Sequence, residues 1–296
     1  MRGFIKFVAV LLAFMALTLQ RTEAQVLYGA DGAGGNPATN LYILNPATGA
    51  VVSTVGPIGF AVTGMAFHPT TGVLYGTTGA RSLVAPNSLI TINTTTGAGT
   101  LIGANGTGTI ADIAFRADGT LFGWTEPIND DLVTINIATG AATIVADSGL
   151  ATFGDGMSFS PAGVLFFAGD GNDGFLRTVN ATTGLTTNVA TLSGSPGAAR
   201  NAISAGAFNA ARIFFAVDLA NVGGGGGGGG GGVAFLVTID TTTGVVTNVG
   251  ATVDGLDAIA FAPLAVVAPV PALSERGMAI LGLIIMGSAL VLQRRV

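Results

Sequence analysis

The sequence predicts an all-β fold: a five-bladed β-propeller closed by its N-terminal strand, with an apolar segment at each end of the chain. Three observations predict it. A phrase reading Leu41-Tyr-Ile-Leu-Asn-Pro-Ala-Thr-Gly49 returns at 89–97, 132–140, 176–184 and 236–244, always with Asn or Asp, two variable residues, then Thr-Gly. A second phrase, a phenylalanine after a small residue, alternates with it at Phe67, Phe115, Phe159, Phe208 and Phe261. The closing glycines recur at spacings of 48, 43, 44 and 60 residues, near the period of about 45 residues that marks a four-stranded blade.

Along the chain, residues 1–24 read as a secretory signal. Arg2 and Lys6 precede an apolar run of 13 residues at 7–19, and Thr22 and Ala24 supply the small residues before a cut at Gln25. That run is short of the ~20 apolar residues a membrane helix wants. The domain then occupies 25–265. In the first phrase the Asn or Asp side chain caps a turn and the glycine supplies the positive φ that closes it, so apolar alternation on both sides makes a hairpin. After Phe67, Phe115 and Phe159 come short turns, followed by strands such as Val73-Leu-Tyr-Gly76. The fifth copy ends at Phe261-Ala-Pro263 without its next strand, which stands instead at the start of the domain as Val26-Leu-Tyr-Gly29. Pairing the two closes the ring and removes an open edge. The long last spacing contains the uninterrupted glycines of 223–232, a flexible loop expansion that costs little closure entropy. The competing fold is a β-sandwich with coincidental spacing.

Residues 266–296 form a linker and tail. Val270-Pro271-Ala272-Leu273-Ser274-Glu275-Arg276-Gly277 precedes an apolar stretch at 278–292 and a basic end with Arg294 and Arg295. This order resembles the IPTL-CTERM sorting signal of Gram-negative bacteria, Ile-Pro-Thr-Leu-Ser-Glu-Trp-Gly followed by a hydrophobic helix and an arginine cluster. Pro271, Leu273, Ser274, Glu275 and Gly277 match; Val270, Ala272 and Arg276 differ. The resemblance implies export, sorting to the outer surface or extracellular matrix, a membrane-inserted helix at least in transit, and dedicated sorting and processing machinery as partners. An ordinary tail anchor is the alternative, and paired arginines at the end then favour a cytoplasmic C-terminus.

Composition excludes several functions. The 296 residues include no cysteine, which removes disulfides, a thiol nucleophile and Cys-ligated metals. Only 9% are charged, with 11 Lys+Arg against 16 Asp+Glu, and the sole lysine is Lys6. Nucleic-acid binding needs clustered basic residues and is excluded as a partner class. Residues 25–265 hold five arginines and 14 acids, a net charge of −9. Antiparallel order sends the variable connections to one end of the ring, the place where rigid scaffolds carry binding sites. Twelve of the 14 acids fall on or beside that loop face.

Asp112, Asp155 and Asp257 sit at the channel-lining strand starts and are the candidate ligand-binding carboxylates, with Trp124 either a stacking platform for a sugar or packing between blades. Asp155 and Asp257 share one repeat position, four residues before Phe159 and Phe261. No cofactor is required; Ca²⁺, which takes six to eight oxygens, is the cation that Asp155 and Asp257, or Asp170, Asn172 and Asp173, would suit. The latter group lacks the full spacing of a calcium loop. His68, the one histidine, reads as a solvated turn residue away from the acids, which disfavours a Ser-His-Asp triad. The expected function is an exported, surface-sorted, non-catalytic binding or matrix module, with an extracellular polysaccharide or envelope protein as partner. The alternatives are an extracellular carbohydrate-active enzyme using the channel-mouth carboxylates and a purely structural envelope protein.

Overall fold

A computed structural model describes residues 25–32, 39–126, 130–150, 156–169, 174–196, 203–219 and 233–264. The signal segment, the glycine run and the tail lie outside the described residues. Within them the chain is all strand, and no helix there is long and apolar enough to cross a membrane.

Twenty strands make five four-stranded antiparallel sheets. The first blade holds β1 (Leu27–Asp31), β2 (Asn40–Leu44) and β3 (Val51–Pro57). The second is β4 (Val62–Phe67), β5 (Leu74–Thr78), β6 (Ser88–Ile92) and β7 (Gly99–Ala104). The third is β8 (Thr109–Phe115), β9 (Leu121–Glu126), β10 (Asp131–Ile135) and β11 (Ala142–Asp147), and the fourth β12 (Gly156–Phe159), β13 (Leu165–Ala168), β14 (Phe175–Val179) and β15 (Thr186–Thr191). The fifth is β16 (Ile203–Phe208), β17 (Phe214–Leu219), β18 (Ala234–Ile239) and β19 (Val246–Ala251). The last strand, β20 (Leu256–Phe261), pairs with β1 in the register Leu27↔Phe261 to Ala30↔Ala258 and completes the first blade. The inner strands touch in a closed cycle, β20 to β4, β8, β12, β16 and back to β20. The fold is a five-bladed β-propeller.

The two repeated phrases explain how the blades hold one another. Each inner-strand phenylalanine packs on the aromatic of the second strand of the preceding blade: Phe67 on Tyr28, Phe115 on Tyr75, Phe159 on Phe122, Phe208 on Phe166 and Phe261 on Phe215, with ring centroids 5.1–5.6 Å apart. Each such pair contributes about 0.5–1.5 kcal/mol beyond the area it buries. The buried side chains accordingly gather in five clusters, each shared by two neighbouring blades.

The Asn/Asp-x-x-Thr-Gly phrase closes the turn between third and fourth strands. Asn93 Oδ1 accepts the N–H groups of Thr95 (2.8 Å) and Thr96 (3.0 Å), while the N–H of Gly97 returns to the Asn93 carbonyl (2.8 Å). The same turn then docks on the outer strand of the preceding blade, where one residue bulges out of the ladder. A Cβ on Gly97 would lie 2.4 Å from the Gly56 carbonyl oxygen, one on Gly140 2.3 Å from that of Gly103, and one on Gly49 2.7 Å from that of Gly250. With φ near +80° at Gly97 and Gly140 as well, glycine answers both a backbone conformation and a backbone-to-backbone approach.

Candidate functional site

The inner strands line the channel, and one level of it is built from a single carboxylate. Three residues before the inner phenylalanine stand Gly64, Gly156, Ala205, Ala258 and, in the third blade, Asp112. Where four blades bring no more than a methyl group, the Asp112 side chain fills the space and is 0% exposed. Its Oδ2 accepts the N–H of Met157 on β12 (2.9 Å) and of Gly206 on β16 (3.1 Å), and its Oδ1 the N–H of Ile113 (2.8 Å). One carboxyl thus ties three blades at the axis. A Cβ on Gly64 would stand 2.7 Å from Asp112 Cα, so a fourth blade closes directly over it. Burial pushes Asp112 well above the ordinary carboxylate range; the three N–H bonds oppose that and the negative charge of Asp257 adds to it.

Asp257 lies one residue further toward the loops on β20, 6% exposed, and its carboxyl takes no hydrogen bond from the described residues. Burial, then the charge of Glu126, raises it well above the usual range. At the same position Thr63 donates to the Ile110 carbonyl (2.7 Å) and Ser204 to that of Leu256 (3.4 Å). Their hydroxyls satisfy neighbouring backbone, which Asp257 does not do.

Among the described residues most acids of the loop face are not exposed. Asp112, Asp130, Asp131, Asp218 and Asp257 are all buried, while Asp147 and Asp254 are exposed. Part of the reason is a device that sequence reasoning missed. At the end of the second strand a side-chain oxygen accepts the first N–H of the third strand: Asp31 from Asn40 (2.6 Å), Thr78 from Ser88 (2.9 Å) and Thr125 from Asp131 (2.9 Å). Asp31 Oδ2 also accepts from the Tyr42 hydroxyl (3.1 Å), and Asp218, at the equivalent place in the fifth blade, accepts from the Ser195 hydroxyl. Burial raises Asp31 despite these bonds. Each of these residues pins the base of a variable loop. The available signal was the Asp or Thr three residues after the second-strand aromatic, as in Tyr28-Gly-Ala-Asp31 and Tyr75-Gly-Thr-Thr78. Asp131 faces Asp147 directly across the ladder, and burial with that like charge raises it.

Of the two readings of Trp124 the structure favours packing, and the solvated reading of His68 is corrected. Trp124 is 0% exposed, with its ring centroid 4.3 Å from that of Phe167 and its Nε1 buried without a hydrogen-bond partner. It packs between the third and fourth blades and offers no face to a sugar. His68 is half-buried rather than solvated: Nδ1 accepts the N–H groups of Thr70 (3.2 Å) and Thr71 (3.3 Å), and the ring lies 5.0 Å from Phe115. Asp155, Asp170, Asn172, Asp173 and the sorting motif from Val270 to Gly277 with Arg294 and Arg295 lie outside the described residues. Among the described residues no three His, Cys, Asp or Glu side chains come together in a metal-holding group.

At the opposite end the channel opens as a well of about 150 Å³ walled by the five inner phenylalanines, beside a cleft of about 250 Å³ between the turns of the third, fourth and fifth blades. Both ends of the described ring lie there. The Gln25 amide donates to the Ala262 carbonyl (2.6 Å) and accepts the N–H of Ala210 (2.8 Å).

No family model and no curated protein matches the chain. Solved structures do. A chain of a nidogen–laminin complex is similar with a TM-score of 0.51 and 16% identity, over 80% of this chain and 98% of that one. A protein of unknown function from Bacteroides thetaiotaomicron is similar at 0.48 and 16%, over 78% and 65%, and one from Bacteroides caccae at 0.47 and 14%, over 81% and 99%. The first likeness shows the fold.

Proposed function

We propose that the chain is an exported, envelope-displayed β-propeller that works as a non-catalytic binding or matrix module through its loop face. The observation that carries this reading is the pinned loop base. Asp31, Thr78 and Thr125 hold the strand ends rigidly beneath connections that differ in length and sequence from blade to blade. A fixed frame beneath variable tips is how scaffolds present binding loops. Gln25 and Ala262, near the two ends of the described ring, lie at its other end, away from those loops. That a chain of similar fold belongs to a nidogen–laminin complex fits a module engaged with another protein. The carbohydrate-active alternative loses support because Asp112 is spent on backbone N–H groups at the axis and Trp124 is buried. The resemblance of 270–296 to a sorting signal supports display at a Gram-negative surface.

The test places an epitope within 223–232 of the full chain, expressed in a Gram-negative host. Antibody labelling of intact cells, together with release into the medium on deleting 266–296, is the expected result. An epitope reached only after lysis in a cytoplasmic fraction overturns the reading.

A further inference from the structure

On the loop side, the mouth of the channel brings together two acceptor groups where the repeat elsewhere pairs a donor with an acceptor. In two blades the residue four before the inner phenylalanine donates to the carbonyl five before the phenylalanine of the next blade: Thr63 to Ile110 (2.7 Å) and Ser204 to Leu256 (3.4 Å). In the first blade that residue is Asp257, and the equivalent carbonyl is that of Val62 on β4. Ala61 directs its carbonyl toward β5, to the N–H of Gly79 (3.1 Å), so alternation along the strand turns the Val62 carbonyl the other way, into the channel. The two groups are neighbours. A Cβ built on Gly32 would stand 1.7 Å from the Val62 oxygen and 3.2 Å from Asp257 Cβ. A hydroxyl at this place donates, but an ionised carboxylate only accepts. Asp257 is 6% exposed, and its carboxyl takes no hydrogen bond from the described residues.

We infer that this place binds a hard divalent cation, Ca²⁺, between the Asp257 carboxylate and the Val62 carbonyl, with Glu126 as the second negative charge. A buried ionised carboxylate persists only when it is paired or coordinates a metal. No lysine or arginine of the described residues pairs with Asp257, and the charges that act across this space are negative: Glu126, at the end of β9, on Asp257, and Asp257 on Asp112. Asp112 is not a ligand, because both its oxygens already accept N–H groups. Two carboxylates and a carbonyl are all-oxygen donors, the one histidine stands at the opposite end of the ring, and the chain has no cysteine, a set that suits Ca²⁺ or Mg²⁺ and not zinc or copper. Oxygens drawn from three different blades fit the variable shell of Ca²⁺, which water completes to six to eight, better than the strict octahedron of Mg²⁺. Such an ion ties the closing strand β20 to the second blade at the loop face. The inference does not rest on export or display; it gives the loop face a requirement for calcium.

The single tryptophan provides the readout. Trp124 stands two residues before Glu126 on β9 and opposite Asp112 in the ladder, so its excitation can pass to a terbium ion bound in place of calcium. Terbium is titrated into the full-length chain in detergent and then displaced with Ca²⁺. The expected result is saturable terbium emission excited through Trp124, removed by Ca²⁺ with a dissociation constant of about 10⁻⁴–10⁻³ M, the range of extracellular modules. Asp257→Asn should abolish it, Glu126→Gln should weaken it by about tenfold, and Asp147→Asn, an exposed acid elsewhere on the loop face, should leave it unchanged. Calcium should also raise the melting temperature of the wild type above its value in EDTA, and leave that of Asp257→Asn where it is; cooperative melting of that variant in EDTA shows its ring intact. Emission that Ca²⁺ does not displace, or that survives in Asp257→Asn at wild-type affinity, overturns the inference. A wild type that melts at the same temperature in calcium and in EDTA does so too, and assigns the place beside Val62 to a proton on Asp257 instead of a cation.

Discussion

Replacing Asp112 with alanine removes the carboxyl that, among the described residues, joins three blades at the axis. The N–H groups of Met157 and Gly206, now 2.9 and 3.1 Å from Oδ2, lose their acceptor in a site that is 0% exposed. Each orphaned buried donor costs about 1–3 kcal/mol, which puts the loss of the two cross-blade bonds at about 2–6 kcal/mol. In a domain of this size about 1 kcal/mol moves the melting temperature by about 2–4 °C, so the full chain should melt about 4–24 °C lower. The loss depends on pH in a direction that can be worked out. Because burial raises the folded-state pKa of Asp112, the wild type has its full stability below the unfolded-state value and loses some as pH rises through the folded one. The alanine variant has no such group, so the gap between the two proteins should narrow with rising pH. Oδ2 carries both cross-blade bonds whether or not the carboxyl holds a proton, so the tie itself persists across that range. Melting followed by emission of the single tryptophan, Trp124, reads this directly, since the indole lies between two blades. A variant that melts within about 2 °C of wild type at every pH would refute the axial tie, since even one orphaned donor predicts more.

Asp257→Asn should raise the melting temperature at neutral pH and flatten its pH dependence: the carboxyl is buried, takes no hydrogen bond from the described residues and is raised by Glu126. A melt series from pH 4 to 9 checks the sign. Gly140→Ala should destabilise markedly, since its Cβ would stand 2.3 Å from a backbone oxygen at φ +83°, whereas Gly163→Ala, at φ +82° with nothing within 4 Å, should cost about 1 kcal/mol of backbone strain; chemical denaturation compares them. Trp124→Phe should cost far less stability than Trp124→Ala, for which about 3–5 kcal/mol is expected, because the indole N–H has no partner to lose. Neither change should alter binding to any surface partner, which an array measurement on the folded variants tests. Asp31→Ala should loosen the 32–39 connection without unfolding the ring, seen as faster local proteolysis there with a small shift in melting.

The blade count, the strand order and the closure of the ring were legible because they follow from repetition. Five phenylalanines and five Thr-Gly turns at near-constant spacing require five equivalent environments, and the missing fifth-copy strand stood visibly at Val26–Gly29. The site was far less legible. Hydropathy assigns an aspartate to water, yet Asp112, Asp218 and Asp257 are buried because strands far apart in sequence converge on them, and no window along the chain contains Met157 and Gly206 together with Asp112. Trp124 belongs to a core assembled from two blades, so its position beside a loop said little about its exposure. The glycine at 103 could be read as a strand weakness; its reason, the carbonyl of Thr139 pressing where a side chain would stand, exists only once the next blade is in place.

The pairing of β1 with β20 also sets a schedule. During synthesis β1 appears first, yet its partner on one side arrives only with residues 256–261, almost the whole domain later. Until then the first blade lacks its inner strand and no axis exists for Asp112 to occupy. Contacts of such long sequence separation form slowly, so the chain leaves a generous interval in which it is complete in length but open in form. The latch that joins the domain's first strand to its last grants that interval.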